Sequence, residues 1–266
     1  MSESCKVMGI VNVTPDSFSD GGMYASPSEA IRRALNMADE GAEIIDVGGE
    51  STRPGSTPLS WDEEWSRIEP VLSGLSKKNF SIPISVDTYH PETAERSLAL
   101  GAKIVNCVYA TPVPDMLRVC GRFGAELVVP FRLPGTSIAG RDDTDDGGAS
   151  DTKGDVLSEI PKTDVPLYLD PMIGFGTTRE EDLALLKSIP EMAKLGRVLI
   201  GASRKRIVKK LTGEKVKGKD VAGNLAIAVW SAVSGASAVR VHDVRETAQS
   251  LRVVEAISRF ERLRQI

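Results

Sequence analysis

The sequence predicts a single (β/α)8 TIM barrel that occupies residues 1–266, and three observations support this prediction. The length of 266 residues suits either one barrel of this class or two average domains. Eight short apolar segments with the features of buried strands alternate with stretches of helical periodicity, an order typical of parallel sheets with helical crossovers. Eight strands within about 250 residues fit a closed barrel better than an open, doubly wound sheet.

The predicted strands are mostly apolar and bounded by turn residues. They lie at Val7–Asn12, Glu43–Val47, Pro83–Val86, Lys103–Asn106, Glu126–Val129, Leu167–Asp170, Val198–Ile200 and Ala238–Val241. The stretches between them predict helices at Ser28–Glu40, Asp62–Leu75, Glu92–Leu100, Met116–Phe123, Arg179–Leu195, Val221–Ser234 and Arg245–Leu263. Ser28, which precedes Glu29, and Asp182, which leads an apolar run, are the expected helix starts.

One repeat is irregular. After Val129 the sequence FRLPGTSIAGRDDTDDGGASDTKGD is polar and rich in Gly and Asp. This composition predicts that the fifth helix is short or missing and that residues 137–154 form a flexible loop. One helical turn is expected near Val156–Ile160. A second polar segment, KKLTGEKVKGK from Lys209, predicts a basic surface loop with helix on either side.

The composition excludes several function classes. The net charge of −4 and the pI near 5.4 provide no basic patch, which argues against binding to nucleic acid or to a membrane surface. No apolar stretch approaches the roughly 20 residues that a membrane span needs. The three cysteines lack CxxC spacing and the chain has only two histidines, so neither a zinc cluster nor a disulfide is expected. We therefore expect a cytoplasmic protein.

Polar residues stand where the predicted strands end, and a barrel brings these ends together at one face. Five carry an amide or a carboxylate and three carry an amine, a guanidinium or an imidazole: Asn12, Asp46, Asp87, Asn106, Asp170, Lys205, Arg240 and His242. A single residue of this kind commonly begins a loop. Eight at one face predict a common cleft.

Two kinds of charge predict what such a cleft binds. Asp87, Asn106 and Asp170 offer acceptors and an amide donor, which suit a heterocycle with N–H and amino edges. Arg240, His242 and the backbone of the glycine-rich loops suit an anion of the size of phosphate. Asn12 offers an oxygen ligand for Mg²⁺ that bridges this anion. The residues therefore predict a heterocycle on one side and a phosphate or diphosphate on the other, without deciding which molecule.

Six segments carry a family resemblance, and they occur in the expected order along nearly the whole chain. They are GIVNVTPDSFSDGG, AEIIDVGGESTRPGS, ISVDT, DPMIGFG, GASRKR and VRVHDV. Together they resemble dihydropteroate synthase, a folate-pathway enzyme of the (β/α)8 class. The resemblance implies a reaction that joins 6-hydroxymethyl-7,8-dihydropterin diphosphate to p-aminobenzoate and releases pyrophosphate, with Mg²⁺ as the cofactor.

The resemblance also implies roles for individual residues. Those at its pterin-binding positions are Asp87, Asn106, Asp170 and Lys205, and those at its diphosphate and Mg²⁺ site are Asn12, Arg240 and His242. Lys205, Arg240 and His242 are the expected catalytic residues. Thr52 and Arg53 fall in a loop that closes over the diphosphate, Phe175 is expected beside the p-aminobenzoate ring, and Arg206 near its carboxylate. The last two helices match the family's usual homodimer surface.

Four departures from the family pattern leave an alternative open. Cys107 replaces an Asp, Arg132 ends a Pro-Phe-Arg segment in place of Met-His, Met172 replaces a Gly, and Arg206 replaces a Ser. The alternative is a divergent pterin-binding relative with a different second substrate or without synthase activity. Cys107 is expected to be a small buried residue. His90, before a proline at a helix start, is expected to be an exposed turn residue.

Overall fold

The computed structural model describes residues 4–14, 26–50, 57–107, 112–134, 156–214, 216 and 218–263. Eight parallel strands close into a barrel in chain order, so the predicted fold class is confirmed. The strands are β1 Lys6–Asn12, β2 Ile44–Gly48, β3 Ile84–Asp87, β4 Ile104–Asn106, β5 Glu126–Pro130, β6 Leu167–Asp170, β7 Arg197–Ile200 and β8 Ala238–Val241. Thr52, Arg53 and the predicted loop at 137–154 lie outside the described residues.

Helices follow the strands and pack around the barrel. They are α1 Pro27–Glu40, α2 Trp61–Lys77, α3 Pro91–Ala99, α4 Val113–Phe123, α5 Arg179–Lys187, α6 Ile189–Ala193, α7 Arg206–Thr212, α8 Val221–Val233 and α9 Val244–Leu263. None of the described helices is long and apolar enough to cross a membrane.

Two predicted helix starts were wrong by a few residues. Helix α1 is capped by Ser26 rather than Ser28, and α5 by Thr178 rather than Asp182. In both cases the hydroxyl accepts the backbone N–H three residues later, and a glutamate at that position returns a bond to the cap, as in a capping box. Asp182 therefore stands inside the first turn of α5, where its carboxylate is buried.

The predicted helix Arg179–Leu195 is two helices. Helix α5 ends at Lys187, and α6 begins at Ile189 with Pro190 in its first turn. A proline inside a helix kinks or breaks it, because proline lacks the N–H and its ring clashes with the carbonyl four residues earlier. That carbonyl, on Leu186, accepts a hydrogen bond from the indole of Trp230 instead, at 3.1 Å.

The predicted basic loop from Lys209 was also partly wrong, because Lys209–Thr212 are the last residues of α7. In the fifth repeat, the described residues between β5 and β6, at 131–134 and 156–166, contain no helix. The expected helical turn near Val156–Ile160 is absent there, since Leu157 forms a parallel bridge with Phe131.

Two apolar clusters hold the fold together. The larger lies between the strands and the helices, and the smaller fills the barrel interior. The interior cluster comprises Met8, Ile44, Ile104, Val128, Tyr168, Met172, Leu199 and Ala238. Because side chains alternate along a strand, the next inward positions of β2, β4, β6 and β8 carry polar residues, which are Asp46, Asn106, Asp170 and Arg240. The apolar floor thus supports a polar cleft above it.

Candidate active site

The register of the barrel places the polar strand ends at one rim. Asn12 is aligned with Gly48, Gly48 with Asp87, and Asp87 with Asn106. On the opposite side of the rim, Asp170 of β6 is aligned with Pro130. Neighbouring residues in a parallel register point to the same face of the sheet, so these side chains enter the cleft together.

Arg240, on β8, is the central cation of the cleft. Its Nε donates to Oδ2 of Asp46 and its Nη2 to Oδ2 of Asp87, both at 2.6 Å. Burial alone would lower the pKa of this guanidinium, but the carboxylates of Asp46 and Asp87 outweigh it and raise the pKa above its ordinary value. Arg240 is therefore a permanent positive charge. It links β8 to β2 and β3, two strands that are far from it in sequence.

Asp46 is not at the tip of its strand, as the sequence suggested, because β2 continues to Gly48. Its fully buried carboxylate lies inside the barrel, and its Oδ2 also accepts from Nδ2 of Asn106 at 3.1 Å. This bond fixes the Asn106 amide with its nitrogen toward Asp46. The Oδ1 atoms of Asp46 and Asn106 are both buried and accept no hydrogen bond from the described residues.

Burial raises the pKa of the two other carboxylates of the cleft, Asp87 and Asp170. Burial raises the pKa of Asp87 to about 7, against the lowering effect of Arg240. Burial also raises the pKa of Asp170, while Lys205 and the N–H of Met172 favour its ionised form. The Met172 N–H donates to Oδ1 of Asp170 at 2.7 Å. Both groups therefore carry acceptor oxygens whose charge a bound donor would stabilise further.

Lys205 precedes α7 and reaches across the cleft to the β6–α5 loop. Its Nζ donates to the carbonyl of Ile173 at 2.6 Å and lies 4.1 Å from the centre of the Phe175 ring. Burial lowers its pKa to about 8, although Asp170 acts in the opposite direction. The predicted site residues Asp170, Phe175 and Lys205 are thus brought together.

Arg206 is the first residue of α7 and is exposed at the mouth of the cleft. Its Nη2 donates to the carbonyl of Thr177 at 2.7 Å. The same loop is held from below, since Gly174 N–H donates to Asp182 Oδ1 at 2.8 Å. The guanidinium therefore borders the Phe175 side of the cleft rather than the Arg240 side.

His242 lies just beyond the end of β8, two residues after Arg240. Its Nδ1 lies 3.1 Å from the Ser203 hydroxyl, which also accepts the His242 backbone N–H at 3.3 Å. The hydroxyl oxygen has two lone pairs and one hydrogen, so it can either donate to Nδ1 or accept from it, and the contact is compatible with both tautomers of the ring. Arg33 holds the His242 carbonyl at 3.1 Å. Sequence reasoning had not singled out Ser203 or Arg33.

Asn12 stands beside an opening that a glycine provides. A Cβ at Gly48 would lie 3.3 Å from Asp87 Cβ and 3.8 Å from Asn12 Oδ1, so a side chain there would fill the space between amide and carboxylate. Across the described residues, no group of three or more His, Cys, Asp or Glu side chains could hold a metal. A single amide oxygen fits Mg²⁺ that takes its other ligands from phosphate oxygens and water.

Three further positions have clear outcomes. Cys107 is fully buried, as expected. His90 is not an exposed turn residue, because it caps α3, is partly buried, and its Nε2 bonds the Leu59 carbonyl at 3.1 Å. Arg132 is buried and its Nε donates to the Pro171 carbonyl at 3.2 Å. Burial lowers the pKa of this guanidinium.

Asp46 was among the polar strand-end residues that the sequence indicated, and the two-residue alternation of β2 explains its inward side chain, since it faces inward with Ile44 and Gly48. The residues that sequence reasoning missed carry no local signal. Ser203 and Arg33 bond His242 across 39 and 209 residues of chain, so no local pattern identifies them.

In a closed parallel barrel the carboxyl ends of the strands are where enzymes of this fold carry their active sites, and comparison with known proteins identifies the class of this one. Residues 8–242 match the family described as pterin binding enzyme, and the chain belongs to that family.

Within this class the relatives are dihydropteroate synthases, and the chain is a member of the dihydropteroate synthase family. The enzyme of Neisseria meningitidis serogroup B is 40% identical over 265 residues, which cover 95% of this chain and 92% of the relative. A Xanthomonas albilineans dihydropteroate synthase structure with 4-aminobenzoic acid superposes with a TM-score of 0.79 at 34% identity, covering 96% of this chain and 94% of the other. The same enzyme in complex with 7,8-dihydropteroate gives 0.77 at 32% identity, over 97% and 95%.

Proposed function

We propose that this chain joins 6-hydroxymethyl-7,8-dihydropterin diphosphate to p-aminobenzoate, giving 7,8-dihydropteroate and pyrophosphate. The observation that carries the proposal is one cleft with two chemically different halves. In one half, Asp87, Asn106 and Asp170 supply acceptor oxygens. In the other half, Arg240 and His242 supply cationic or N–H donors. A pterin that bears a diphosphate needs both halves at once.

The pterin half recognises the edge of the heterocycle. Asp170 accepts the amino group and ring N–H of the pterin, a pair of parallel donors that matches a carboxylate. Asp87 and the oriented Asn106 Oδ1 accept from the remaining edge. Lys205, whose ammonium contacts the Ile173 carbonyl and the Phe175 ring, donates to the pterin carbonyl.

The anion half holds the leaving group. Arg240 contributes a fixed guanidinium and His242 an imidazole N–H, and Asn12 would hold Mg²⁺ beside them. Bound Mg²⁺ would neutralise part of the charge on the diphosphate oxygens. The protein's own donors supply the electrostatic stabilisation that a departing pyrophosphate requires.

The reaction then needs no dedicated base. The bond between the pterin methylene and the diphosphate oxygen breaks, and the electron pair leaves with pyrophosphate. The neutral aromatic amine of p-aminobenzoate donates its lone pair to the methylene carbon and forms the new C–N bond. The nitrogen, positively charged in this bond, then loses one proton to solvent. Asp87 and Asp170 stabilise the positive charge that is delocalised over the pterin in between.

The Phe175 side of the cleft is the proposed site of p-aminobenzoate. Phe175 offers an aromatic face, and exposed Arg206 offers a guanidinium to the carboxylate. Thr52 and Arg53 are proposed to complete this site, on the family resemblance of their segment alone.

Assembly and location are also proposals. Helices α8 and α9 pack against each other, and both carry apolar side chains that are half-exposed. These side chains support a homodimer through the two helices. The three free cysteines, Cys5, Cys107 and Cys120, support a cytoplasmic location, where thiols stay reduced.

The deciding experiment measures pyrophosphate release from the pterin diphosphate with Mg²⁺, with and without p-aminobenzoate. We expect release that depends on the amine and that Lys205→Ala reduces at least 100-fold, while Lys187→Ala, an exposed lysine of α5, retains full activity. Pterin binding without amine-dependent release would favour the alternative, a pterin-binding relative with another second substrate.

A further inference from the structure

Met172 has an unusual backbone for its residue type. Its φ is +66°, in the left-handed region, and among the described non-glycine residues only Asn79 and Arg204 also have positive φ. A Cβ in this region crowds the following carbonyl, and glycine would relieve the strain. A side chain retained at such a position is a reason to ask what it contacts.

The backbone around Met172 is held on both sides. Its N–H donates to Asp170 Oδ1 at 2.7 Å, and its carbonyl accepts from the Phe175 N–H at 3.2 Å. The preceding carbonyl, on Pro171, accepts from buried Arg132. Met172 and Phe175 are therefore the two corners of one tight turn whose position is set by the carboxylate of Asp170.

The side chain of Met172 is buried, with 5% exposure, in the apolar cluster of the barrel interior. Val128 and Tyr168 belong to the same cluster, and Phe175 packs against it. The thioether thus lies between the barrel floor and the polar rim, next to the carboxylate that takes the edge of the heterocycle. A ligand whose edge bonds Asp170 must place a face beside this group.

We propose that Met172 is a specificity-determining residue that forms the apolar wall against which the flat face of the pterin packs, with Phe175 bordering this wall on the p-aminobenzoate side. The inference rests on the proposed function. A thioether against an aromatic ring gives a favourable, adaptable contact, and an unbranched side chain adjusts to a planar bicycle. The class of ligand selected is a flat heterocycle with donors on one edge and no substituent on its face.

The test measures binding of 6-hydroxymethylpterin by calorimetry to the unmodified chain and to three variants. Met172→Leu keeps apolar volume and is expected to bind within about threefold of the unmodified chain. Met172→Ala removes the wall, and Met172→Gln keeps its size but makes it polar. Each is expected to weaken pterin binding five- to tenfold. Pyrophosphate binding with Mg²⁺ should stay unchanged in all of them, because the Arg240 half is untouched.

Each outcome has a single meaning. Unchanged pterin affinity in a folded Met172→Ala or Met172→Gln variant would overturn the inference and leave the proposed function standing. If the alanine variant fails to fold, the size-matched glutamine variant decides. Absence of pterin binding by the unmodified chain would overturn the proposed function and this inference with it.

Discussion

At the scale of single residues, Arg240 and Asp46 join the two halves of the cleft. Asp46 Oδ2 accepts from both Arg240 and Asn106, so one buried oxygen fixes the guanidinium on the anion side and the amide on the pterin side. Such a shared acceptor couples the two halves, because its loss disturbs both donors at once.

We predict that Asp46→Asn lowers kcat/KM for the pterin diphosphate at least 100-fold, since Arg240 loses one ionic partner and Asn106 loses its orientation. Removing one member of a buried ion pair also destabilises the fold by about 3 kcal/mol. Steady-state kinetics and urea unfolding measure the two effects. Substitution of Ser85 provides the control, because Ser85 is aligned with Asp46 in the register and its hydroxyl bonds none of the described residues. Full activity in Asp46→Asn would contradict the shared role.

The shifted pKa values of Lys205 and Asp87 predict a bell-shaped pH dependence of pterin binding. Affinity should fall below about pH 7, where Asp87 takes a proton, and above about pH 8, where Lys205 loses its charge. Titrating 6-hydroxymethylpterin between pH 5.5 and 9.5 measures both limbs. Lys205→Arg keeps the charge at high pH and should remove the alkaline limb. If the alkaline limb persists in this variant, a group other than Lys205, on the protein or on the ligand, causes it, and the assignment to Lys205 is contradicted.

At the scale of elements, the loops at the carboxyl ends of the strands are held by helix starts and by buried carboxylates. Asp182, in the first turn of α5, accepts from the Gly174 N–H and the Thr177 hydroxyl. Glu64, on α2, accepts from the Thr88 hydroxyl at 2.6 Å, directly after Asp87. The helices therefore fix the cleft as well as covering the barrel.

We predict that Thr178→Ala lowers stability by about 1 kcal/mol, because the cap of α5 loses the bond that its hydroxyl accepts from the Glu181 N–H. The midpoint of thermal unfolding measures the loss. Thr178→Ser keeps the hydroxyl and should restore most of it. Equal losses in the two variants would show that the hydroxyl bond is not what stabilises α5.

Glu64 predicts a pH-dependent effect on stability. Burial raises its pKa to about 7, so between pH 4.5 and 7 the folded state holds a proton that the unfolded state has lost. Stability from this group is therefore present at low pH and is lost as pH rises to about 7. Glu64→Gln does not titrate, so its stability relative to the unmodified chain should increase by up to about 3 kcal/mol over this range.

Urea unfolding at pH 4.5, 6 and 8 measures the change. Glu92→Gln, at an exposed position in the first turn of α3, is the matched control and should show no such increase. A pH-independent difference for Glu64→Gln would mean that folding does not raise the pKa of Glu64.

At the scale of the whole molecule, the exposed apolar surface is concentrated on α8 and α9. Five large apolar side chains there are half or more exposed: Trp230, Val233, Val253, Ile257 and Phe260. We expect light scattering at micromolar concentration to give twice the monomer mass of 28.6 kDa. Ile257→Asp should shift the mass toward the monomer, while Leu195→Asp, at an exposed position after α6, should not. A monomer mass for the unmodified chain would contradict the dimer.

The barrel and most of the cleft could be predicted from sequence because they depend on local patterns. Strand positions followed from short apolar runs, and β6 and β8 were predicted to the residue. Helix boundaries were less accurate, since Pro190 divides one predicted helix and Ser26 and Thr178 are caps whose bonds compete with nearby alternatives. The position of Arg206 at the cleft mouth beside Thr177, and of Lys205 over Phe175, could not be predicted, because loop backbone sets them.

The sequence by itself determined the alternation of strands and helices, the family, and which chemical groups stand at the strand ends. Periodicity and residue type are properties of the chain alone, and they suffice for these conclusions. Only the tertiary structure decided that Arg240 bonds Asp46 and Asp87, residues that precede it by 194 and 153 positions. Closure of β1 against β8 creates these contacts, and with them the burial that shifts the pKa values of Asp87 and Lys205.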